Sequence, residues 1–492
     1  VHLNPATADP SIFDVLILGG GVTGAGIARL AARNGLKTVL IERADLASGA
    51  SSASSHMLHG GLRYLEHGRF RLVREALVER AALSRMAPAL AKPRRFLVPL
   101  YRGGRLAPWK LRAGLTLYDF LAGERGLSPH LMVRPRAALE LEPDLAGAGL
   151  NAAGIYSDVV MDDAGLAIAV ARDAAAHGAA IFTWHEPQAA RPLERGGFMV
   201  TARDTLDGGE REFTARVIVN ATGARCDETR RWLTGSISPG SPAPAPVLRP
   251  SRGVHLVFPA LTRGHGLLLT ARADGRVFFV VPHGEWSLVG TTEIEVPSPP
   301  ADAAFQPTLE EVRYLLAELA AALPSAAGRA PVGILSGLRP LLRSEEHVGR
   351  ASREHRVVED GDLISIAGGK YTTFRVMARD TLAHVAARLG RHEALRDADD
   401  PLPAPASLGA GLERLTDHAV EHEFARRLED VLRRRSARWL DADHGRAASQ
   451  EVAARMAARL GWSPERTREE LAGWEMKQNE IEALLARAKE TP

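Results

Sequence analysis

Apolar and polar positions alternate along the chain in blocks whose periods change at glycines and prolines. The run Phe13-Asp14-Val15-Leu16-Ile17-Leu18 is nearly continuous in its apolar positions and predicts a buried strand. Gly19-Gly20-Gly21-Val22-Thr23-Gly24 follows, and an alanine-rich helical pattern continues to Asn34, where Gly35 is placed to stop it as a C-cap. A second strand, Lys37-Thr38-Val39-Leu40-Ile41, ends at Glu42. From Glu66 to Met86, Phe70, Val73, Leu77 and Ala81 recur at helical spacing among many charges. Pro88 to Pro108 reads as broken and basic.

Further on, Gly154–Val160 predicts a strand and Asp163–His177 a helix feeding a short strand, Ala179–Trp184. Gly196-Gly197 and Asp207-Gly208-Gly209 mark hairpin turns, the second leading into Val217-Ile218-Val219 and the turn Asn220-Ala221-Thr222-Gly223. Ser236–Pro250 is rich in Pro and Ser and reads as a connector. Strands are expected at Val254–Phe258, Val277–Val281 and Leu288–Gly290, then a helix at Leu309–Leu323, then further strands to Ile366. A second glycine turn, Gly368-Gly369-Lys370, is expected to open a helix from Tyr371. Everything after about Leu408 is helical in pattern and heavily charged.

Composition narrows this picture. At 492 residues, two or three domains are expected, and 45% hydrophobic with 25% charged residues is the profile of a globular protein. The net charge of +3 gives little reason to expect a nucleic-acid partner. One cysteine, Cys226, rules out disulfides within the chain and argues against any thiolate metal site, so no metal is expected. Val1–Ser11 is polar, with no basic segment leading an apolar core, so no signal peptide is expected. No stretch reaches the roughly 18 apolar residues of a membrane span, so any membrane contact is expected to be peripheral.

Gly19-x-Gly21-x-x-Gly24 lies where a dinucleotide-binding turn needs it, after an apolar strand and at the mouth of a helix. Gly19 allows the tight turn, Gly21 lets backbone approach a pyrophosphate, and Gly24 lets helix and strand pack closely. The helix N-terminus offers free N–H groups to the phosphates. Glu42 is placed to accept the adenosine ribose hydroxyls, and a carboxylate there argues against the 2′-phosphate of NADP. The strand Val217–Val219 with its small-residue turn favours FAD over NAD, because such a strand returns beside the nucleotide in two-domain flavoproteins.

The string Ser51-Ser52-Ala53-Ser54-Ser55-His56-Met57-Leu58-His59-Gly60-Gly61-Leu62-Arg63-Tyr64-Leu65-Glu66 closely resembles the flavin-proximal segment of the FAD-dependent (aerobic, respiratory) glycerol-3-phosphate dehydrogenases, in the wider D-amino-acid-oxidase-like group. Asp162-Asp163-Ala164, Asn220–Gly223, Gly290-Thr291-Thr292-Glu293, Ser336-Gly337-Leu338-Arg339-Pro340-Leu341 and Gly368-Gly369-Lys370-Tyr371-Thr372-Thr373 extend the likeness in order, over about residues 12 to 390. The resemblance implies oxidation of sn-glycerol 3-phosphate to dihydroxyacetone phosphate, by hydride transfer from C2 to flavin N5, with electrons passed to a quinone. It implies a phosphate held by Arg63, Arg339, Arg353 and Lys370, since the planar guanidinium grips oxyanions bidentately, with Tyr64 and Thr291 as neutral donors. His59 is the natural base for the hydroxyl proton, and His59 with Arg339 forms the implied catalytic pair. Ser51, Ser52, Gly60, Gly61, Gly223, Gly368 and Gly369 join Gly19, Gly21, Gly24 and Glu42 as implied FAD contacts.

The expected fold is α/β. A Rossmann-type FAD-binding domain is assembled from 12–90, 151–235 and 346–400, a β-rich substrate domain from 91–150 and 236–345, and a shortened helical cap from 408–492. Two departures from the family pattern stand out: His56 replaces a Lys, and Gly165 stands where an Arg is common. They leave open a longer polyol phosphate such as a tetritol phosphate, or a flavin-binding homologue without turnover. Oxygen-using oxidases share these motifs, and an amine or amino-acid oxidase of the same superfamily is a further alternative, against which Arg63, Arg339 and Lys370 argue. The expected location is cytoplasmic, with peripheral contact at the inner face of the plasma membrane through Lys92–Arg95 and Arg102–Arg112, which includes Trp109.

Overall fold

The strand Phe13–Leu18 sits at the centre of a largely parallel sheet, as its unbroken apolar run requires. The computed structural model describes residues 12–298, 300–343, 354–397, 399–405 and 411–490. In this first sheet the order is His355–Asp360, Leu363–Gly368, Glu210–Asn220, Phe13–Leu18, Thr38–Ile41 and Ala180–Phe182. From Leu363–Gly368 onward these strands are parallel neighbours, and only His355–Asp360 runs antiparallel, at the edge. Helices Val22–Arg33, Asp163–Ala176 and Phe374–Arg388 pack as one layer on it. Gly26 lets the first and last of these helices pack closely, because a Cβ there would lie 2.6 Å from the Phe374 ring. The antiparallel strands His185–Pro192 and Phe198–Asp204 fold with Glu210–Asn220 into a meander whose core includes Leu233 and Ile237 of the helix Cys226–Ile237.

Among the described residues the second sheet has ten strands, eight of them in the order Ile294–Glu295, Ser251–Pro259, Trp286–Gly290, Val277–His283, Gly266–Thr270, Ala91–Tyr101, Leu150–Met161 and Met57–Leu58. Gly333–Arg339 pairs with Ser251–Pro259, and Leu131–Val133 with Leu150–Met161. Alternation along Ser251–Pro259 sends Val254, Leu256 and Phe258 into a core shared with the helix Leu309–Ala322, while Gly253 and His255 face a cavity on the other side.

Three local expectations change. The segment expected to be broken contains an eleven-residue strand, Ala91–Tyr101, despite Pro93 and Pro99, paired antiparallel along its length with Leu150–Met161. Leu150–Met161 thus belongs to the second sheet, so the first sheet resumes after Met161 and not at 151. The second glycine turn leads first into the 3-10 turn Tyr371–Thr373, and the α-helix begins at Phe374. The helix Cys226–Ile237 has no counterpart in the periodicity reading. The C-terminal region is helical as expected, with Leu412–His422, Leu428–Arg434, Arg446–Leu460 and Pro464–Lys489.

Candidate functional site

The first glycine turn is shaped by collisions it avoids. Gly19 has φ +110°, and a Cβ there would lie 2.6 Å from the Ala221 carbonyl oxygen of the neighbouring strand end. A Cβ on Gly24 would lie 1.9 Å from the Gly19 carbonyl oxygen, so the helix can start this close to the strand only with glycine. Gly21 is the N-cap of Val22–Arg33, and the Val22 N–H donates to Ser51 Oγ at 3.0 Å. Beside it, Glu42 accepts from Gly20 N through Oε2 at 2.6 Å and from Ala44 N through Oε1 at 2.9 Å. Burial pushes the Glu42 carboxyl pKa upward, and those backbone N–H groups oppose the shift. Each carboxylate oxygen keeps a further lone pair for a hydroxyl. A glycine cradle, a helix N-terminus and an adjacent carboxylate fit a dinucleotide. Ser52 lies in the 3-10 turn Ala50–Ser52, and Gly223, with φ +59°, opens the turn after Glu210–Asn220.

A cavity of about 800 Å³ is walled by strands of the second sheet, the 50–66 segment and the turn that follows Leu363–Gly368. His59, Gly61, Arg63, Tyr64, Thr291, Arg339, Gly369 and Lys370 all line it, although they come from four distant stretches of sequence. The Arg339 guanidinium donates to Thr291 Oγ1 at 2.6 Å and to the Thr292 carbonyl at 3.2 Å. Gly253 makes room for it, since a Cβ there would fall 2.1 Å from Arg339 Nη2. The Lys370 ammonium stands 3.9 Å from the centre of the Tyr64 ring. Gly61 lies against the same ring, at φ +81°. Gly368 and Gly369 are both left-handed, and Gly369 N donates to the Glu354 carbonyl at 2.9 Å. Arg353 lies outside the described residues.

Gly60 faces away from the cavity and is fixed from behind. Its N–H donates to Tyr118 Oη at 2.9 Å, Tyr118 donates to Asp158 at 2.9 Å, and Arg80 donates to the other Asp158 oxygen at 2.8 Å. Burial raises the Asp158 pKa and Arg80 opposes it, while burial and the neighbouring carboxylate keep the Tyr118 phenol protonated. His255, on the cavity wall, shares a hydrogen bond with Ser55 Oγ at 2.9 Å. Burial, and then the charge of Arg339, hold its pKa well below the ordinary imidazole value. Sequence reasoning missed Tyr118, Asp158 and His255. The signal for His255 was that it is the one polar residue in the run Val254–Phe258.

The two departures occupy different surroundings. His56 Nε2 lies 3.4 Å from Asp163 Oδ1, and its ring meets His283 edge-on. Burial lowers its pKa to about 4, so the imidazole is neutral at pH 7. Burial likewise raises the Asp163 carboxyl to about 6, against hydrogen bonds from Ser54. Gly165 is a packing position: a Cβ would lie 2.5 Å from the Asp162 carboxylate, which caps the helix by accepting from Gly165 N at 2.9 Å.

Residues 14–375 match the family described as FAD dependent oxidoreductase, and residues 407–467 match the C-terminal domain of alpha-glycerophosphate oxidase. Over 94% of this chain and 87% of its own length, the glycerol-3-phosphate dehydrogenase of Mycobacterium leprae is 35% identical. Glycerol-3-phosphate dehydrogenase 2 of Mycobacterium tuberculosis is 34% identical over 96% and 89%. Among solved structures, the glycerol-3-phosphate dehydrogenase of Bacillus halodurans complexed with FAD superimposes with a TM-score of 0.74 at 23% identity, covering 98% of this chain and 97% of that one. The FAD-bound L-alpha-glycerophosphate oxidase of Mycoplasma pneumoniae gives 0.59 at 17% identity, over 81% and 100%. At those identities the two structures speak for the fold.

Proposed function

The chain belongs to the FAD-dependent oxidoreductases, in their glycerol-3-phosphate dehydrogenase family, and on that premise we propose that it oxidises sn-glycerol 3-phosphate to dihydroxyacetone phosphate and delivers the electrons to a quinone. The observation that carries this reading is the convergence of Arg63, Arg339 and Lys370 with His59, Tyr64 and Thr291 on one cavity wall system. Three fixed cations suit a phosphate dianion, and they exceed what a single carboxylate needs, which disfavours an amino-acid oxidase.

The Gly19–Gly24 turn, Glu42 and Ser51 would hold the adenosine and pyrophosphate of FAD, with Ser52 and Gly223 close to that end. Gly61 and Gly369, which line the cavity, would flank the ring, while Gly60 and Gly368, expected beside it, lie behind them against Leu77 with Tyr118 and against Leu342. When bound, FAD supplies the two-electron acceptor chemistry that side chains lack. Arg339, steadied by Thr291 and Thr292, orients the phosphate together with Arg63. Lys370 adds its charge to the phosphate, and Tyr64 is a neutral donor to the substrate. An imidazole nitrogen of His59 takes the C2 hydroxyl proton as the C2 hydride leaves.

The helix Pro108–Ala122 supports a peripheral membrane contact. It presents Trp109 (68% exposed) and Phe120 (79% exposed) outward beside Lys110 and Arg112, while Leu111 and Leu117 of the same helix line the cavity. Among the described residues no helix is long and apolar enough to cross a membrane.

The test is anaerobic. Adding sn-glycerol 3-phosphate to the yellow holoenzyme should bleach the flavin band rapidly, and a quinone analogue should restore it. Bleaching by amino acids alone would overturn the substrate, stronger bleaching by a tetritol phosphate would move it to the longer polyol, and fast reoxidation by oxygen with peroxide release would overturn the acceptor.

A further inference from the structure

The loop from Glu42 to Ala47 frames Gly20 of the first glycine turn. Glu42 accepts from Gly20 N, Ala47 N donates to the Gly20 carbonyl at 3.0 Å, and a Cβ on Gly20 would lie 2.9 Å from both Glu42 and Leu46 side chains. Between these contacts Asp45 points the other way, toward the C-terminal cap, and is 0% exposed.

Two consecutive arginines of the cap close on it. Arg434 Nε donates to Asp45 Oδ2 at 2.5 Å, and Arg435 grips both carboxylate oxygens, at 2.6 and 2.9 Å. Burial alone would raise the Asp45 pKa, and the paired Arg435 and Arg434 charges more than reverse it. Asp430, one turn before Arg434 in Leu428–Arg434, receives Arg434 Nη2 at 2.7 Å and the Trp184 indole N–H at 3.0 Å. Trp184 returns to the same loop, its backbone N–H donating to the Ala44 carbonyl at 2.9 Å. The loop is thus held from the cap at two points, by ion pairs that are nearly dry and by an indole.

We propose that the cap is a latch on the adenosine end of the cofactor site: Arg434 and Arg435, through Asp45, are positioning residues that press the 42–47 loop onto the glycine turn and so set FAD affinity. This rests on the reading that the Gly19–Gly24 turn holds FAD. A carboxylate this buried keeps its place only while its partners stay, because an uncompensated buried charge is strongly unfavourable. With Arg435 removed, Asp45 keeps only Arg434 on Oδ2, its Oδ1 must seek water, and the loop carrying Glu42 moves with it.

The experiment measures FAD binding to the deflavinated full chain by fluorescence titration, with circular dichroism to establish folding. Arg435→Met and Asp45→Asn should raise the FAD Kd by about tenfold or more, and Arg435→Lys, which keeps the charge but loses the fork, by less. Arg455→Met serves as the control. It breaks a cap ion pair to Asp417, which Arg459 also contacts and whose side-chain partners among the described residues do not include the 42–47 loop, so FAD affinity should stay native. A native Kd in folded Arg435→Met and Asp45→Asn would overturn the latch, as would an equal loss in Arg455→Met. Gly21→Val separates the two levels: if it leaves FAD binding intact, the glycine-turn reading itself fails, whereas loss in Gly21→Val alone removes only the latch.

Discussion

Replacing Tyr118 with Phe deletes one oxygen and tests whether the turn carrying His59 is held from behind. Tyr118 is 2% exposed, and its hydroxyl accepts from Gly60 N and donates to Asp158, both at 2.9 Å. Phe fills the same space, so no cavity opens and the side-chain packing against Tyr156 is kept. Two polar groups lose a partner. The Gly60 N–H is left without its acceptor in an apolar wall formed by Leu77, at about 1–3 kcal/mol. Asp158 loses one donor and retains Arg80, a smaller loss of about 1 kcal/mol. Part of this strain is relieved if the turn shifts toward water in the cavity, which moves His59, the preceding residue. Each 1.4 kcal/mol withheld from the transition state is tenfold in rate. The reductive half-reaction followed by anaerobic stopped flow should therefore slow by roughly tenfold. FAD should still bind, because the glycine turn at Gly19, which would hold its adenosine and pyrophosphate, is untouched. A native reduction rate in a variant whose denaturant stability has fallen by about 2 kcal/mol would refute the reasoning. It would show that Tyr118 stabilises the wall without positioning the turn.

Other expectations are equally direct. Arg339→Ala should raise KM and lower kcat, costing about a hundredfold or more in kcat/KM while FAD stays bound, and unchanged steady-state kinetics would remove Arg339 from phosphate binding. His56 has a pKa depressed to about 4, so its contribution to stability is present above its unfolded value near 6.5 and is lost as pH falls toward 4. Asp163 works with the opposite sign, its pKa raised to about 6, so its protonation favours the fold as pH drops below that value. His56→Asn should flatten the acid-side loss in denaturant titrations at pH 4–7, by up to about 3 kcal/mol, and an unaltered pH profile would contradict the burial argument. Cys226 is 0% exposed with a thiol pushed up to about 12, so iodoacetamide should label it only on unfolding, as read by intact mass.

Some of this protein was readable from sequence because the deciding interactions are local. The strand at Phe13, its glycine turn, the helix to Arg33 and the strand ending at Glu42 lie within thirty residues, and their periods are those of the elements they form. The string His59 to Tyr64 is likewise local, and it turns its side chains into the cavity from one short turn. Ala91–Tyr101 was not readable, because Pro93, Pro99, Lys92, Arg94 and Arg95 erase strand alternation. What overrides them is pairing on both sides, with Leu150–Met161 and Gly266–Thr270. The same non-local pairing moved Leu150–Met161 into the second sheet, since an apolar strand carries no label for its sheet.

Sequence alone thus determined the chemistry on offer: a nucleotide turn, a carboxylate after the second strand, a histidine beside Gly-Gly, and arginines in a family pattern. Tertiary structure decided which buried polar groups find each other, with Gly60 on Tyr118, Ser55 on His255, and Asp45 on Arg435 across 390 positions. The physical reason is that a buried charge or N–H must be satisfied by whatever the fold brings near it, and chain distance says nothing about that choice.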